Sequence, residues 1–402
     1  MIKVAIMGHG VVGCGVAEVL RQNAEQIAAK AGKKIEIARI LDLRTFDDLP
    51  YSDVFTTRFE DILEDDSIRI VVETMGGLHP AYDYVKACLQ AGKSVVTSNK
   101  ELVAQKGDEL LALAKENNLN FLFEASVGGG IPILRPLDQC LAANEVSEVS
   151  GILNGTTNFM LSKMIDEGLG FDEALALAQA LGYAERDPSA DVDGLDACRK
   201  ICILASLAFG KHIYPAQVHT EGIRNITLDD VQCAKAAGGV IKLIGRAIKE
   251  GDKLYCTVAP TVVSNDCILA NVQDVYNSIM VRGNAIGDAV FYGRGAGKLP
   301  TASAVVADVI DEVKHISARK YLSWGAGDEQ AVADYRTRPQ KWLLRFAGTD
   351  ENALTAVFGK VKFLATKTGE CAFVSSDLDE NALAVKLQQV ANIPLISKVA
   401  ML

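Results

Sequence analysis

The strand-like run Lys3–Met7 passes without a break into Gly8-His9-Gly10-Val11-Val12-Gly13. From Val16 to Lys30 apolar residues recur at helical spacing (Val16, Val19, Leu20, Ile27), Gly32 stops them, and Lys34–Leu41 reads as a second strand. A G-x-G-x-x-G turn in that setting leaves few folds open. Its first Gly makes the tight turn, its second admits a pyrophosphate, and its third lets helix pack on strand. The helix N-terminus offers free N–H groups and a positive dipole end to phosphates. Gly8, Gly10, Val11, Val12 and Gly13 are therefore read as contacts to NAD or NADP. Asp42, just past the second strand, suits the adenosine ribose of NAD, whereas Arg44 suits the 2′-phosphate of NADP. The two readings stay open, and the glycine-to-acid separation exceeds the usual ~20 residues.

Strands are predicted at Ile68–Glu73, Ser94–Thr97 and Asn120–Glu124, with helices at Tyr82–Gln90 and Glu101–Asn117. This alternation implies an α/β chain whose N-terminal part is a Rossmann-type, doubly wound parallel sheet. From about Ile133 the pattern becomes α+β. A strand at Val146–Leu153 and helices at Phe171–Leu181 and Gly194–Phe209 precede a β-rich stretch from Ile241 to Phe291. A helix is expected over Thr301–His315, and the tail from Gln340 reads βαββαβ, a small ferredoxin-like (ACT-like) module. The expected division is 1–132 for the dinucleotide, completed by a helix near 296–316, then 133–295 for catalysis and dimerisation, and 340–402 for the module. A length of 402 residues agrees with two or three domains.

Composition excludes other classes. Forty-one Lys+Arg against 51 Asp+Glu give a net charge of −10, which argues against a chain devoted to nucleic acid or anionic membrane. The apolar stretch Ile201–Phe209, broken only by Ser206, is far below the roughly 20 residues of a membrane helix. The N-terminus lacks the apolar segment and cleavage site of a signal peptide. Nine cysteines without a C-x-x-C pair read as reduced, buried residues of a cytoplasmic protein. Five scattered histidines give no zinc-ligand spacing.

The stretch LGYAERDPSADVDGLDACRK (181–200) carries the most chemistry. Asp196 and Lys200 are i, i+4 on a helix so apolar that both charges are expected to be buried, where they need partners or a task. Asn154-Gly155-Thr156-Thr157 sets amides and hydroxyls at a helix start, a cradle for a small anion. Lys100 ends a strand at the carboxyl edge of the sheet, where cofactor and substrate meet in such folds. Thr74, Ser98, Gly295 and Gly297 are further candidate cofactor contacts. The run Gly293–Lys298 lacks the first Gly and the Ser/Thr of a P-loop, and is not read as one.

Together these motifs resemble homoserine dehydrogenase. The resemblance rests on Ala178 to Lys200, with Gly182-Tyr183-Ala184, Asp187-Pro188, Asp191-Val192, Gly194, Asp196 and Lys200. It also rests on EASVGGGIPIL (124–134), GILNGTTNFML (151–161) and GRGAGKLPTASAVVADV (293–309), and covers roughly residues 1–320. It implies reversible NAD(P)-dependent reduction of L-aspartate 4-semialdehyde to L-homoserine, in threonine, methionine and isoleucine biosynthesis. It implies that Lys100 and Lys200 are the lysines beside the reacting carbonyl, with Asp196 holding Lys200 and the substrate, and Glu185 taking the substrate's amino group. Asn154, Gly155, Thr156, Thr157, Gly182, Tyr183 and Asp191 would line the amino-acid pocket. A monovalent cation would sit on the main-chain carbonyls of Glu124, Val127, Gly129 and Ile131, and the enzyme would be a homodimer or a dimer-based oligomer. Two features depart from the family pattern. Leu41 stands where many members carry Arg, and the tail reads Thr349-Asp350-Glu351-Asn352 without the usual Pro-Gly. The rival readings are a phosphorylating aspartate-semialdehyde dehydrogenase, which needs a cysteine nucleophile, and a non-catalytic nucleotide sensor.

Overall fold

The computed structural model describes residues 1–319 and 322–402. It forms two compact units, one of residues 1–146, 202–215 and 283–331, the other of 147–201, 216–282 and 332–402.

The first unit is built on six parallel strands: β1 (Ile2–Met7), β2 (Ile35–Leu41), β3 (Phe55–Thr56), β4 (Ile68–Glu73), β5 (Ser94–Thr97) and β6 (Phe121–Leu122). Their order is β3-β2-β1-β4-β5-β6, so the chain reverses direction across the sheet between β1 and β4. A crevice opens at the carboxyl ends of the strands at such a switch point. Val4 to Met7 and Ile70 to Val72 are fully buried, as strands covered on both faces must be. The single helix expected over 16–30 is two helices, Val11–Gln22 and Ala24–Ala31, interrupted at Asn23. The Asn23 side chain caps neither helix, and its backbone (φ −105°, ψ 20°) has left helical geometry. Gly32 stops the second helix at φ 74°, a left-handed position that glycine occupies without strain.

The helix Lys298–Lys314 packs on Val11–Gln22. A Cβ on Gly15 would lie 2.8 Å from the Lys298 carbonyl, and Lys298 pairs with Glu18 at 2.6 Å. It begins three residues before the spacing predicted, because Gly297 takes the cap and Pro300 fits within the first turn.

The second unit is a mixed sheet made of β7 (Val146–Ile152), β8 (His219–Thr220), β9 (Gly239–Glu250), β10 (Lys253–Ser264) and β11 (Tyr276–Gly283). After β12 (Gly287–Arg294), which lies with the first unit, come β13 (Trp342–Ala347), β14 (Phe363–Leu364), β15 (Glu370–Val374) and β16 (Leu395–Met401). The order within the second unit is β11-β7-β9-β10-β16-β13-β15-β14. Helices Glu351–Phe358 and Glu380–Gln389 join the last four strands, which gives the βαββαβ order read from the sequence. Phe346 and Phe373 are fully buried in that module, each worth roughly 2–3 kcal/mol of apolar burial. Gly245 on β9 lets Leu153 and Ile201 approach to 2.7 and 3.4 Å of where its Cβ would be, seating the helix Leu195–Phe209 on the sheet. Among the described residues no helix is long and apolar enough to cross a membrane.

Candidate active site

The glycine turn sits at the switch point of the first unit. Gly8 has φ 93°, and a Cβ on Gly13 would fall 1.9 Å from the Gly8 carbonyl, so neither position accepts a side chain without rebuilding the turn. A Cβ on Gly10 would meet nothing within 4 Å, which leaves open space where a pyrophosphate approaches. Val11 and Val12 begin the helix, and the Thr74 hydroxyl donates to the Met7 and Gly8 carbonyls, tying β4 to the turn. The adjoining cleft is lined by Asp42, Arg44, Thr57, Thr74, Pro80 and Tyr84.

Asp42 accepts from the His9 N–H at 2.7 Å and from the Arg44 Nε and Nη2, each at 2.9 Å. The Arg44 guanidinium holds the Asp42 carboxyl far below the usual carboxylate range. Lys100 is the first residue of the helix Lys100–Glu116, capped by Asn99, whose Oδ1 accepts from the Leu102 N–H. The Ser98 N–H donates to the Glu73 carbonyl. Glu73, read from the sequence only as a strand end, lies beside Thr74 and Met75, which line the cleft. Its buried carboxylate accepts from the Met75 and Gly76 N–H groups and the Thr97 hydroxyl, and burial raises its pKa. A Glu closing a β-branched strand before a Gly-Gly pair was the available signal.

The candidate cation loop lies in the same unit. The Glu124 carboxylate is occupied by the N–H groups of Ile133, Leu134 and Arg135 at 2.6–2.8 Å. Asp308 accepts from the Glu124 N–H and from Arg135. Gly129 has φ 57°, and a Cβ there would strike the Gly295 carbonyl at 2.3 Å. Backbone bonds in this stretch use the Phe123, Gly128 and Arg294 carbonyls as acceptors, with the Glu124, Val127, Gly129 and Ile131 carbonyls outside that set.

The second unit holds the lysine–carboxylate cluster. Lys200 is buried and donates to Asp196 Oδ2 at 2.8 Å and to the Leu153 carbonyl at 2.7 Å. Asn154 caps the helix Gly155–Asp166 through its Oδ1, which accepts from the Thr157 N–H at 2.8 Å. Its Nδ2 donates to Asp191 at 2.6 Å and to Asp196 at 2.9 Å. Asn154 thus bridges two carboxylates that sequence order keeps apart. Burial raises the Asp191 pKa, the Asn154 hydrogen bond lowers it, and Asp196 raises it again. Thr156 donates to the Tyr183 carbonyl at 2.6 Å and draws the Gly182-Tyr183 turn onto the cluster. Gly155 lies so close to Val275 that a Cβ would come within 2.8 Å of its carbonyl. Glu185 lies two residues further on, exposed, with no side-chain partner among the described residues. The Leu153 carbonyl had no signal in the sequence, since any residue type supplies one.

A glycine turn at a sheet switch point and a buried ammonium beside two carboxylates define an NAD(P)-dependent oxidoreductase acting on a small polar substrate. Comparison with known proteins narrows the class. Residues 8–124 match the family model for the homoserine dehydrogenase NAD-binding domain, and residues 132–310 match that for homoserine dehydrogenase. The chain is 46% identical over 325 residues to the homoserine dehydrogenase of Synechocystis sp., covering 79% of this chain and 74% of that protein. It is 41% identical over 319 residues to that of Bacillus subtilis, covering 78% and 73%. The crystal structure of a homoserine dehydrogenase from Thiobacillus denitrificans superposes with a TM-score of 0.92 at 34% identity, covering 100% of this chain and 98% of that one. A hyperthermophilic archaeal homoserine dehydrogenase in complex with NADPH gives a TM-score of 0.65 at 29% identity, covering 77% and 97%. The chain belongs to the homoserine dehydrogenase family, whose reaction interconverts L-aspartate 4-semialdehyde and L-homoserine with NAD(P).

Proposed function

We propose that Lys200 is the acid that protonates the alkoxide formed from the semialdehyde, and the group that withdraws that proton in homoserine oxidation. The observation that carries this reading is the buried Lys200 ammonium fixed between Asp196 and the Leu153 carbonyl. A charge held in a water-poor site acts strongly on a developing oxyanion and needs no reorganisation as the reaction proceeds. Bound in the first unit, the nicotinamide dinucleotide supplies or accepts the hydride. Asp196 orients Lys200, and Asn154 fixes Asp196 and Asp191 relative to each other. Glu185, exposed and without a side-chain partner among the described residues, takes the substrate ammonium. Gly155, Thr156, Thr157, Gly182 and Tyr183 shape the walls around it, and Lys100 is assigned to the cofactor side.

Lys200→Met tests this reading. Turnover is expected to fall by several orders of magnitude while cofactor affinity and the circular dichroism spectrum stay unchanged. Near-normal turnover removes Lys200 from the mechanism.

The choice of dinucleotide follows from Asp42. Pinned by His9 and Arg44, its carboxylate stays ionised, accepts hydrogen bonds from a 2′-hydroxyl and repels a 2′-phosphate. The enzyme is therefore assigned a preference for NAD. A monovalent cation suits the Glu124, Val127, Gly129 and Ile131 carbonyls, with Glu124, Arg135 and Asp308 holding the loop's shape. A homodimer working in the cytoplasm is the assembly carried over from the resemblance, and light scattering measures its size.

A further inference from the structure

Lys242 on β9 and Asn158, the residue that follows Asn154–Thr157, are both buried, and the chemistry above uses neither. The Lys242 ammonium donates to the Val272 carbonyl at 2.6 Å and to Asn158 Oδ1 at 3.1 Å. Asp166 and Asp274 act on its charge only through space. An ammonium taken out of water and given only neutral acceptors is unfavourable unless it holds something in place.

What it holds is the segment 272–276, which leads into β11. Asn158 Nδ2 donates to the Val272, Asp274 and Tyr276 carbonyls at 3.2, 2.8 and 3.2 Å. The Asp274 N–H donates to Ser162 Oγ at 3.1 Å, and the Ser162 hydroxyl donates to the Asn158 carbonyl at 2.8 Å. Asp274 has φ 52°, a left-handed position uncommon outside glycine, and these bonds over-determine it. The Val275 carbonyl lies where Gly155 leaves room for it. Gly155, Asn158 and Ser162 stand at i, i+3 and i+7, so they share one face of the helix Gly155–Asp166. The segment is a strap along that face, keyed to it at three successive turns.

The helix so gripped begins at the substrate site. Asn154 caps it and bridges Asp191 and Asp196, and Thr156 ties it to Tyr183. The Gly155 and Thr156 N–H groups have no acceptor among the described residues, which leaves them to an anion such as the substrate carboxylate. A helix that slid or turned against the strap would break the strap's bonds and carry this first turn away from the two carboxylates.

We propose, on the assignment of residues 154–157 to the amino-acid pocket, that Lys242 and Asn158 are positioning residues: they clamp the strap 272–276 on the helix Gly155–Asp166 and so fix the register of the turn that receives the substrate carboxylate.

Steady-state kinetics on the intact enzyme test this with two competitive probes. L-2-aminobutyrate keeps the amino-acid end of homoserine and lacks its hydroxyl, whereas 3-aminopropan-1-ol keeps amine and hydroxyl and lacks the carboxylate. In Lys242→Met the KM for homoserine and the inhibition constant of L-2-aminobutyrate are expected to rise at least about tenfold, the loss of one charge-assisted hydrogen bond. The inhibition constant of 3-aminopropan-1-ol and the Kd of the dinucleotide are expected to stay unchanged, and kcat to change far less than KM. Ser162→Ala, which removes only the Asp274 acceptor, is expected to shift the same two constants in the same direction by about threefold, and serves if Lys242→Met misfolds. Asn154→Ala reports on the pocket itself and is expected to raise the KM for homoserine. Unchanged KM in folded Lys242→Met and Ser162→Ala, beside a raised KM in Asn154→Ala, overturns the strap's role and leaves the pocket standing. Unchanged KM in Asn154→Ala as well overturns the pocket assignment and the strap's role with it. Equal weakening of both probes and of the dinucleotide in Lys242→Met also overturns the proposal, because it marks a general loosening of the fold.

Discussion

Removing Asn154 separates the two tasks its side chain performs. In Asn154→Ala the helix Gly155–Asp166 loses its cap, at about 1 kcal/mol. Asp191 and Asp196 each lose an amide donor at 2.6 and 2.9 Å, at about 2 kcal/mol for each hydrogen bond to an ionised group. The expected destabilisation is about 5 kcal/mol. Asn154→Ser keeps a capping oxygen but has no amide to bridge the carboxylates, so it should recover only about 1 kcal/mol of that loss. Urea unfolding of both variants, with kcat/KM for homoserine, measures this.

The pH dependence gives a second readout. Asp191 already has a raised pKa, and losing the Asn154 donor raises it further. A carboxyl group with a raised native pKa binds more protons in the folded state, so its contribution to stability falls as pH rises through that pKa. The deficit of Asn154→Ser against the unmodified enzyme should therefore be largest at neutral pH and shrink as the solution is acidified. A Ser variant with unchanged stability and kcat/KM, or a deficit independent of pH, refutes the bridging role.

Asp42→Ala should lower kcat/KM with NAD and raise it with NADP, narrowing the preference by about tenfold or more for one lost charge contact; an unchanged ratio removes Asp42 from cofactor selection. Gly13→Ala places a methyl 1.9 Å from the Gly8 carbonyl, and cofactor binding followed by fluorescence should be lost or weakened at least a hundredfold, at a cost of roughly 3 kcal/mol. Glu124→Gln turns one acceptor oxygen, which serves the N–H groups of Ile133, Leu134 and Arg135 with its partner, into a donor, and should lower unfolding free energy by about 2–3 kcal/mol. Burial depresses Lys242 to about 8, below the usual lysine value. The unfolded chain then binds more protons above that value, so the unmodified enzyme should gain stability relative to Lys242→Met as pH rises from 8 towards 10. A constant difference across that range refutes the burial argument.

What neighbouring residues settle among themselves could be read from the chain alone. The glycine turn, the alternation of strands and helices, the Asn154 cap and the i, i+4 placement of Asp196 and Lys200 are set by backbone sterics and helical period, which act within a few residues. The kinship was legible for the same reason, since its motifs are contiguous. The break at Asn23 was not legible, because apolar spacing runs on through it and does not report where the helical backbone ends.

Tertiary structure alone decided the rest. It set the Leu153 carbonyl on Lys200 across 47 residues, and Asn154 against Asp191 and Asp196 across 37 and 42. It wrapped the Glu124 carboxylate around three N–H groups. These contacts depend on where the chain returns, and a carbonyl or carboxylate shows in its residue type no sign of which distant donor it will meet.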